Sequence, residues 1–281
     1  MMKKLLAVLL AAMLALPFAG CGLAANNSSE TATDESWTKV EQAKKLVLGM
    51  DSAFPPMGYV DTETGELIGF DIDVATEVCN RLEIELVLQP IDWDNKTNEL
   101  NNGNVDCLWN GFSKTEEREK EFNLSEPYMK NNQIILVKAD SDYQSLDDLA
   151  GKIVGVQADS SAEVALNDNT EFKDSLKEVV QIDDYSKAVL EIQNGTIDAI
   201  AIDEVVARFY LSNDPGGYRI LEKEGGSVES LAVEDYVIGF RKNDNALKEK
   251  VETTINEMAE DGTLTSISEK WFGEDVTIAA E

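Results

Sequence analysis

The chain has 281 residues, 43% of them hydrophobic, which is enough for a large core and one or two domains. Its formal charge is −30, from 54 acids against 24 bases, and it contains no histidine. The missing basic face argues against nucleic-acid binding, and the missing histidine removes the commonest general base and zinc ligand.

The first twenty residues read as a targeting segment. Lys3 and Lys4 give a positive start, and 5–19 is an apolar run too short for a comfortable membrane span. Small residues then lead to Cys21 in PFAGC (17–21). This resembles the bacterial lipoprotein signal, in which the cysteine is lipidated and becomes the N-terminus, although Phe18 stands where leucine is usual. An ordinary secretory signal cleaved nearby is the alternative. Residues 22–38, rich in Asn, Ser, Thr, Ala and acids, read as a flexible tether, so that 21–44 precedes the fold.

A strand over 45–49 ends at Asp51 in DSAFPPMGY, where Pro55 and Pro56 bar a helix and predict an extended, exposed turn. A turn at 61–66 leads to 67–70 and a helix, DIDVATEVCNRL, with Asp71 as its expected N-cap. Asp71 and Asp73 resemble a catalytic carboxylate pair only superficially, since capping and the helix dipole account for them. Cys79 shares an apolar helix face with Ile72, Ala75 and Leu82, and Cys107 lies in a later strand. Two buried thiols are expected rather than a disulfide, and a metal site from two cysteines is not. A strand over 85–88, closed by Trp93, and a short helix over 95–101 follow.

The strand 105–109 then turns through Gly111 into a helix, for which Ser113 and Glu116 have capping-box spacing. Glu116 and Glu117 suit the positive helix end and Arg118 does not. Two readings of Arg118 remain open: an anion receptor at a strand end, or a surface arginine paired with glutamates. Further on, 133–137 is an extended apolar segment and 146–151 a short helix stopped by glycine. A strand over 152–156 leads to Ser160, which with Glu163 repeats the capping box and leaves Ser161 in the first turn. Strands at 179–180, 197–202 and 236–240 and helices at 185–193, 245–260 and before 273 complete the chain. NGNVD (102–106) and NGTID (194–198) echo each other and introduce strands ending near Asn110 and Asp203, consistent with two α/β lobes of similar build. In parallel α/β sheets ligands sit at the carboxyl ends of strands, where Asp51, Trp93, Ser113, Ser161 and Asp203 all fall.

GFDIDV (69–74) with Val78, Cys79 and Leu82, together with DSAFPPMGY, IDWD, VDCLWNGFSKTEERE, SEPY, SLDDLAGKIVGVQ, IDAIAIDE and YVIGFRKND, spans about 45–273. In this order the motifs resemble the bacterial extracellular solute-binding proteins of family 3, which deliver polar amino acids to ABC importers. The resemblance implies a type II periplasmic-binding fold, α/β, with two lobes that are each a mixed sheet flanked by helices, joined by two hinge strands. One lobe would comprise 45–133 and 233–275 and the other 134–232. It implies that Arg118 forks the ligand α-carboxylate, helped by Ser113 and Ser161, and that Asp203 takes the α-ammonium. Phe54 and Trp93 would flank the side chain and Asp51 would stand near its tip. Asn110 and Gly111 occupy a ligand-contact position where many members carry small hydroxyl residues, and NKTNEL (95–100) replaces a more apolar run. The implied partners are a free amino acid, a permease and ATPase complex, and a membrane through the lipid on Cys21, with no cofactor, no nucleic acid and a monomeric state. Arginine, lysine, ornithine or glutamine suits this set, with cystine as an alternative. A dehydratase on the same fold is the enzymatic alternative, and it would need a proton-transfer group in the cleft.

Overall fold

A computed structural model describes residues 34–223 and 225–280. The expected signal segment and Cys21 lie outside them. Helix α1 (Ser36–Ala43) and strand β1 (Lys45–Met50) lead into a small antiparallel sheet of β2 (Ala53–Phe54), β3 (Gly58–Val60) and β4 (Leu67–Ile68). Then come α2 (Phe70–Arg81), β5 (Glu85–Pro90), α3 (Lys96–Asn101), β6 (Cys107–Ser113), α4 (Glu116–Glu121) and β7 (Asn123–Leu124). The long strand β8 (Met129–Lys138) opens the middle of the chain. There β9 (Ile153–Gln157), α5 (Ser161–Asp168), α6 (Thr170–Ser175), β10 (Glu178–Ile182) and α7 (Tyr185–Asn194) follow one another. The middle ends with β11 (Ala199–Asp203), α8 (Glu204–Asn213) and β12 (Tyr218–Ile220). A second long strand, β13 (Ser230–Phe240), returns to the first part, and α9 (Asn245–Glu260) and α10 (Thr263–Phe272) complete it.

The large sheet runs in the order β10-β9-β11-β8-β13-β6-β1-β5. Its two ends are parallel half-sheets, β5-β1-β6 and β10-β9-β11, and the antiparallel pair β8–β13 joins them. This is the expected α/β build of two lobes sharing two crossing strands. Strands β6 and β11 are buried along their whole length, as strands covered on both faces must be. Each parallel half-sheet therefore delivers polar groups at its carboxyl end: Asp51 after β1, Ser113 on β6, Gln157 on β9 and Asp203 on β11.

Several local expectations change once tertiary partners are present. The tether ends before 36, because Ser36 and Val40 of α1 are buried. Asp34 accepts from the Ala246 amide (2.7 Å) and Ser36 Oγ from the Leu247 amide (3.0 Å), so this segment caps α9. The diproline turn is buried rather than exposed: the Pro56 and Met57 carbonyls accept from the amides of Phe70 and Asp71 that open α2 (2.8 and 3.0 Å). Gly69, not Asp71, is thus the N-cap of α2. Asp71 is fully buried instead, and accepts from the Gly111 amide (2.7 Å) and the Tyr128 hydroxyl (2.9 Å). Asp73 binds Lys270 and Trp271 Nε1 on α10, which accounts for it structurally.

Strand β6 does not stop at Trp109. It continues through Gly111 to Ser113, which still pairs with Tyr236 of β13. Pairing holds Ser113 extended, so the cap of α4 falls on Thr115, whose Oγ1 accepts from the Arg118 amide (3.2 Å). Gly111 adopts φ +55°, and a Cβ there would lie 2.7 Å from the Phe54 ring. Ser160 caps α5 as expected, although Glu163 turns its carboxylate to the Asp159 amide (2.8 Å) rather than back to Ser160. Cys79 and Cys107 are both buried free thiols, as expected.

The backbone approaches closely at Gly69, where a Cβ would stand 2.2 Å from the Met57 carbonyl oxygen. Gly69→Ala is expected to lower stability by about 2–4 kcal/mol in urea unfolding, because the diproline loop can no longer cap α2. A loss below about 0.5 kcal/mol would contradict that assignment.

Candidate functional site

All nine expected binding residues of the fold fall into one connected region. Arg118 is 7% exposed. Its guanidinium stacks 4.2 Å from the Phe112 ring centroid, with Nη1 donating to the Ser113 carbonyl (2.8 Å) and Nη2 to the Asp159 carbonyl (3.4 Å). No carboxylate lies within salt-bridge distance of it among the described residues. The surface reading of Arg118 is therefore incorrect: Glu116, Glu117 and Glu119 open the same helix, but the arginine points inward from it. A buried cation held only by carbonyls and a ring is set up to receive an anion.

Asp203 is the opposite case, at 2% exposure. Oδ1 accepts from Asn131 Nδ2 (2.7 Å), Gln133 Nε2 (2.8 Å) and the Tyr236 hydroxyl (2.8 Å), and Oδ2 from the Tyr185 hydroxyl (3.3 Å). Every one of those donors is neutral. Gln133 Nε2 also reaches Glu234 Oε2 (2.9 Å) and Ser161 Oγ (3.1 Å). An amide nitrogen has only two hydrogens for these three oxygens, so the spot is rich in negative potential and favours a cation. Ser161 Oγ in turn meets Ser113 Oγ at 3.0 Å, which closes a polar chain from Asp203 to the Arg118 strand end.

Asp51 forms a third station. Its Oδ1 accepts from the Ala53 amide (2.8 Å) and Oδ2 from Gln157 Nε2 (2.6 Å), while its own amide donates to Asn110 Oδ1 (3.0 Å). Asn110 thus positions Asp51, and its Nδ2 has no acceptor among the described residues. Gly111 lets the Phe54 ring approach the strand, and Phe54 faces Tyr185 (centroids 5.7 Å apart). Trp93 packs edge-on to Phe112 (5.9 Å), and no ring contact joins Trp93 to Phe54 among the described residues. Asp51 and Trp93 border a cavity of about 300 Å³ whose other walls include Asp92, Asp94, Asp183, Asp184 and Lys187. A larger hollow of about 510 Å³, between α8 and α10, is lined by none of the expected site residues.

Sequence reasoning missed Gln133, Gln157, Tyr185, Tyr236 and Lys96. Gln157 follows the rule that found Asp51 and Asp203, since it ends an apolar strand. Lys96 carried no such signal; it is 2% exposed, and burial together with nearby Arg118 brings its ammonium down to about 8 against the pull of Asp159. Among the described residues no cluster of His, Cys, Asp and Glu is placed to hold a metal, and no helix is long and apolar enough to cross a membrane.

The sequence profile of the bacterial extracellular solute-binding proteins, family 3, matches residues 46–274. The L-cystine-binding protein TcyA of Bacillus subtilis is 29% identical over 279 residues, covering 98% of this chain and 100% of TcyA. The arginine-binding extracellular protein ArtP of Bacillus subtilis is 30% identical over 279 residues, covering 96% of this chain and 98% of ArtP. Among solved structures, an ABC uptake transporter substrate-binding protein from Streptococcus pneumoniae with bound histidine superimposes with a TM-score of 0.82. It is 37% identical, with 88% of this chain and 99% of that chain covered.

Burial raises three site or near-site carboxyls: Asp203 and Asp71 to about 7 and Asp51 to about 6, with Glu234 adding to the effect at Asp203. Each then keeps its proton in the folded protein at pH values where the unfolded chain, near 3.8, has lost it. Folded protein binds more protons between about pH 4 and 7, so stability falls as pH rises through that window. Carboxyls held low, such as Asp261 at about 2, act below 3.8 and do not cancel this trend. Ligand-stripped protein is expected to unfold at a higher temperature at about pH 5 than at about pH 7.5, and Asp203→Asn to flatten the slope. An unfolding temperature that rises with pH over this range would contradict the assigned shifts.

Proposed function

Because the chain belongs to the bacterial extracellular solute-binding proteins, family 3, we propose that it is the extracytoplasmic substrate-binding lipoprotein of an ABC importer. Its ligand is a free basic amino acid, arginine, lysine or ornithine. The observation that carries this reading is the pairing of opposite needs in one site: among the described residues, Arg118 is buried without an ion-paired carboxylate and Asp203 without an ion-paired cation. An α-amino acid zwitterion supplies both charges at fixed separation. Ser113 and Ser161 add neutral hydrogen bonds to the carboxylate, and Glu234 adds charge beside the ammonium. The acid-lined cavity at Asp51 and Trp93 supports a cationic side chain, which Asp51 would neutralise while Trp93 and Phe54 cover its methylene stem. ArtP, named for arginine, is consistent with this choice. Gln157 and Asn110 beside Asp51 would also suit glutamine, and TcyA keeps cystine as the second reading. No relative reported above is named a dehydratase.

In this reading 45–133 with 233–275 form one lobe and 134–232 the other, and β8 and β13 are the hinge. Arg118, Ser113, Phe54, Trp93 and Asp51 belong to the first lobe, and Ser161 and Asp203 to the second. A ligand bound by both groups favours the closed arrangement by its differential affinity for it. Cys21 carries the lipid that holds the monomer at the membrane beside its permease and ATPase.

Thermal unfolding against the common amino acids and cystine tests the ligand. At about one hundred times its Kd a true ligand adds about 2.7 kcal/mol, a shift of several degrees. A shift with arginine, lysine or ornithine is expected. Arg118→Ala should abolish it for every amino acid, and Asp51→Ala should weaken arginine far more than glycine. A shift with cystine or glutamine alone would move the specificity, and no shift with any would refute the receptor. Palmitate labelling that is lost in Cys21→Ala is expected for the anchor; equal labelling would refute it.

A further inference from the structure

Lys96 stands in the site without contributing a donor to it. It opens α3, which packs on β1 and β6 of one half-sheet, and its side chain is 2% exposed. Its ammonium donates to the Trp93 carbonyl (3.3 Å), the Asp159 carbonyl (2.9 Å) and the Asp159 carboxylate. Three hydrogens meet three acceptors, so none is left for a ligand. The Trp93 ring lies 5.2 Å from Nζ.

Asp159 belongs to the other half-sheet, two residues beyond β9. It adopts φ +56°, a left-handed turn conformation that aspartate takes more readily than most residues with a Cβ. The holding groups are visible: its carbonyl faces Lys96 Nζ and Arg118 Nη2, and its amide donates to Glu163 Oε2 (2.8 Å). Immediately after it, Ser160 caps α5 and Ser161 meets Ser113 across the site. The two partners are unequal in exposure. The Lys96 side chain is 3% exposed and that of Asp159 60%, so with the half-sheets together the ammonium is dry while the carboxylate keeps its water.

We propose that Lys96 is a positioning residue for ligand binding, a latch that locks the Asp159 turn against Trp93 and so presents Ser161 when the lobes close. This rests on the reading of the protein as a two-lobed receptor. The latch acts on the closing equilibrium and touches no ligand atom. Its removal therefore weakens every ligand by the same factor and acts mainly through faster dissociation. Lys96→Met keeps the aliphatic stem over Trp93 and deletes the charge; Asp159→Asn keeps the backbone turn and weakens the partner.

Stopped-flow binding and calorimetry with arginine, lysine and glutamine, on the parent, both single variants and the double variant, test this. The expected result is a Kd raised about five- to fiftyfold for each ligand the parent binds, with the ratios between ligands unchanged. The increase should lie in the dissociation rate, and the double variant should be no weaker than Lys96→Met alone. Unchanged affinity, a loss confined to one ligand, or additive effects of the two substitutions would overturn the proposal. Spin-label distances between the lobes of the ligand-free protein read the latch without any ligand. A shift of Lys96→Met toward longer distances is expected, and identical distributions would overturn the latch. If the parent binds no amino acid, the receptor reading fails, and the spin-label result still decides whether Lys96 holds the lobes.

Discussion

Arg118 is a buried cation and Asp203, once ionised, a buried anion, and the protein solvates both with dipoles instead of opposite charges. Stacking on Phe112 and two carbonyls hold the guanidinium, and two phenols with two amides hold the carboxylate. An unpaired buried ion retains a desolvation penalty of several kcal/mol even after such dipoles act. The two form no ion pair among the described residues: Ser113, Ser161 and Gln133 fill the ground between them, so Asp203 acts on the arginine only at longer range. The arrangement therefore stores an unfavourable term that a molecule carrying both charges would release. In the proposed function, binding and closure would both follow from this imbalance.

The sheet explains how that imbalance couples to motion. Parallel half-sheets place Asp51, Ser113, Gln157 and Asp203 at their carboxyl ends, facing one region. The crossing strands β8 and β13 supply Asn131, Gln133 and Tyr236 to Asp203 directly. A cation bound at Asp203, as proposed, would therefore act on the strands that a hinge rotation must bend. Pairing of 129–134 with 230–236 keeps those strands in one continuous sheet, so the link is a paired ribbon rather than a loose tether. Closure around a ligand is the kind of two-state element on which such contacts act.

Residues whose role depends on strand ends were readable in the sequence. Apolar runs that stop at a polar group marked Asp51, Ser113 and Asp203, and the helix that follows marked Arg118 and Ser161. What escaped are residues whose role is set by partners distant in sequence. Ser113 has good capping-box spacing, yet pairing with Tyr236 keeps it in the strand and passes the cap to Thr115. Asp71 looks like a cap, but the buried diproline loop fills that place and frees the carboxylate to tie α2 to Gly111 and Tyr128. Residues 34–38 look like the end of a tether by composition, but Asp34 and Ser36 cap α9. Lys96 sits in a polar run with no periodicity to flag it, and its burial beside the Trp93 carbonyl and Asp159 is a tertiary fact. Local rules see propensity and spacing, whereas each of these residues was decided by a contact from elsewhere in the chain.

The central claim is that one site holds both ends of an amino acid, with Arg118 on the carboxylate and Asp203 on the ammonium. Titration calorimetry with arginine, arginine methyl ester and Nα-acetylarginine tests it most directly, since each derivative removes one charge and keeps the side chain. Breaking either buried pair is expected to cost about 2–5 kcal/mol, roughly thirtyfold to several thousandfold in Kd, so both derivatives should bind far more weakly than arginine. Retention of arginine's affinity by either derivative, to within about threefold, would contradict the assignment of that end.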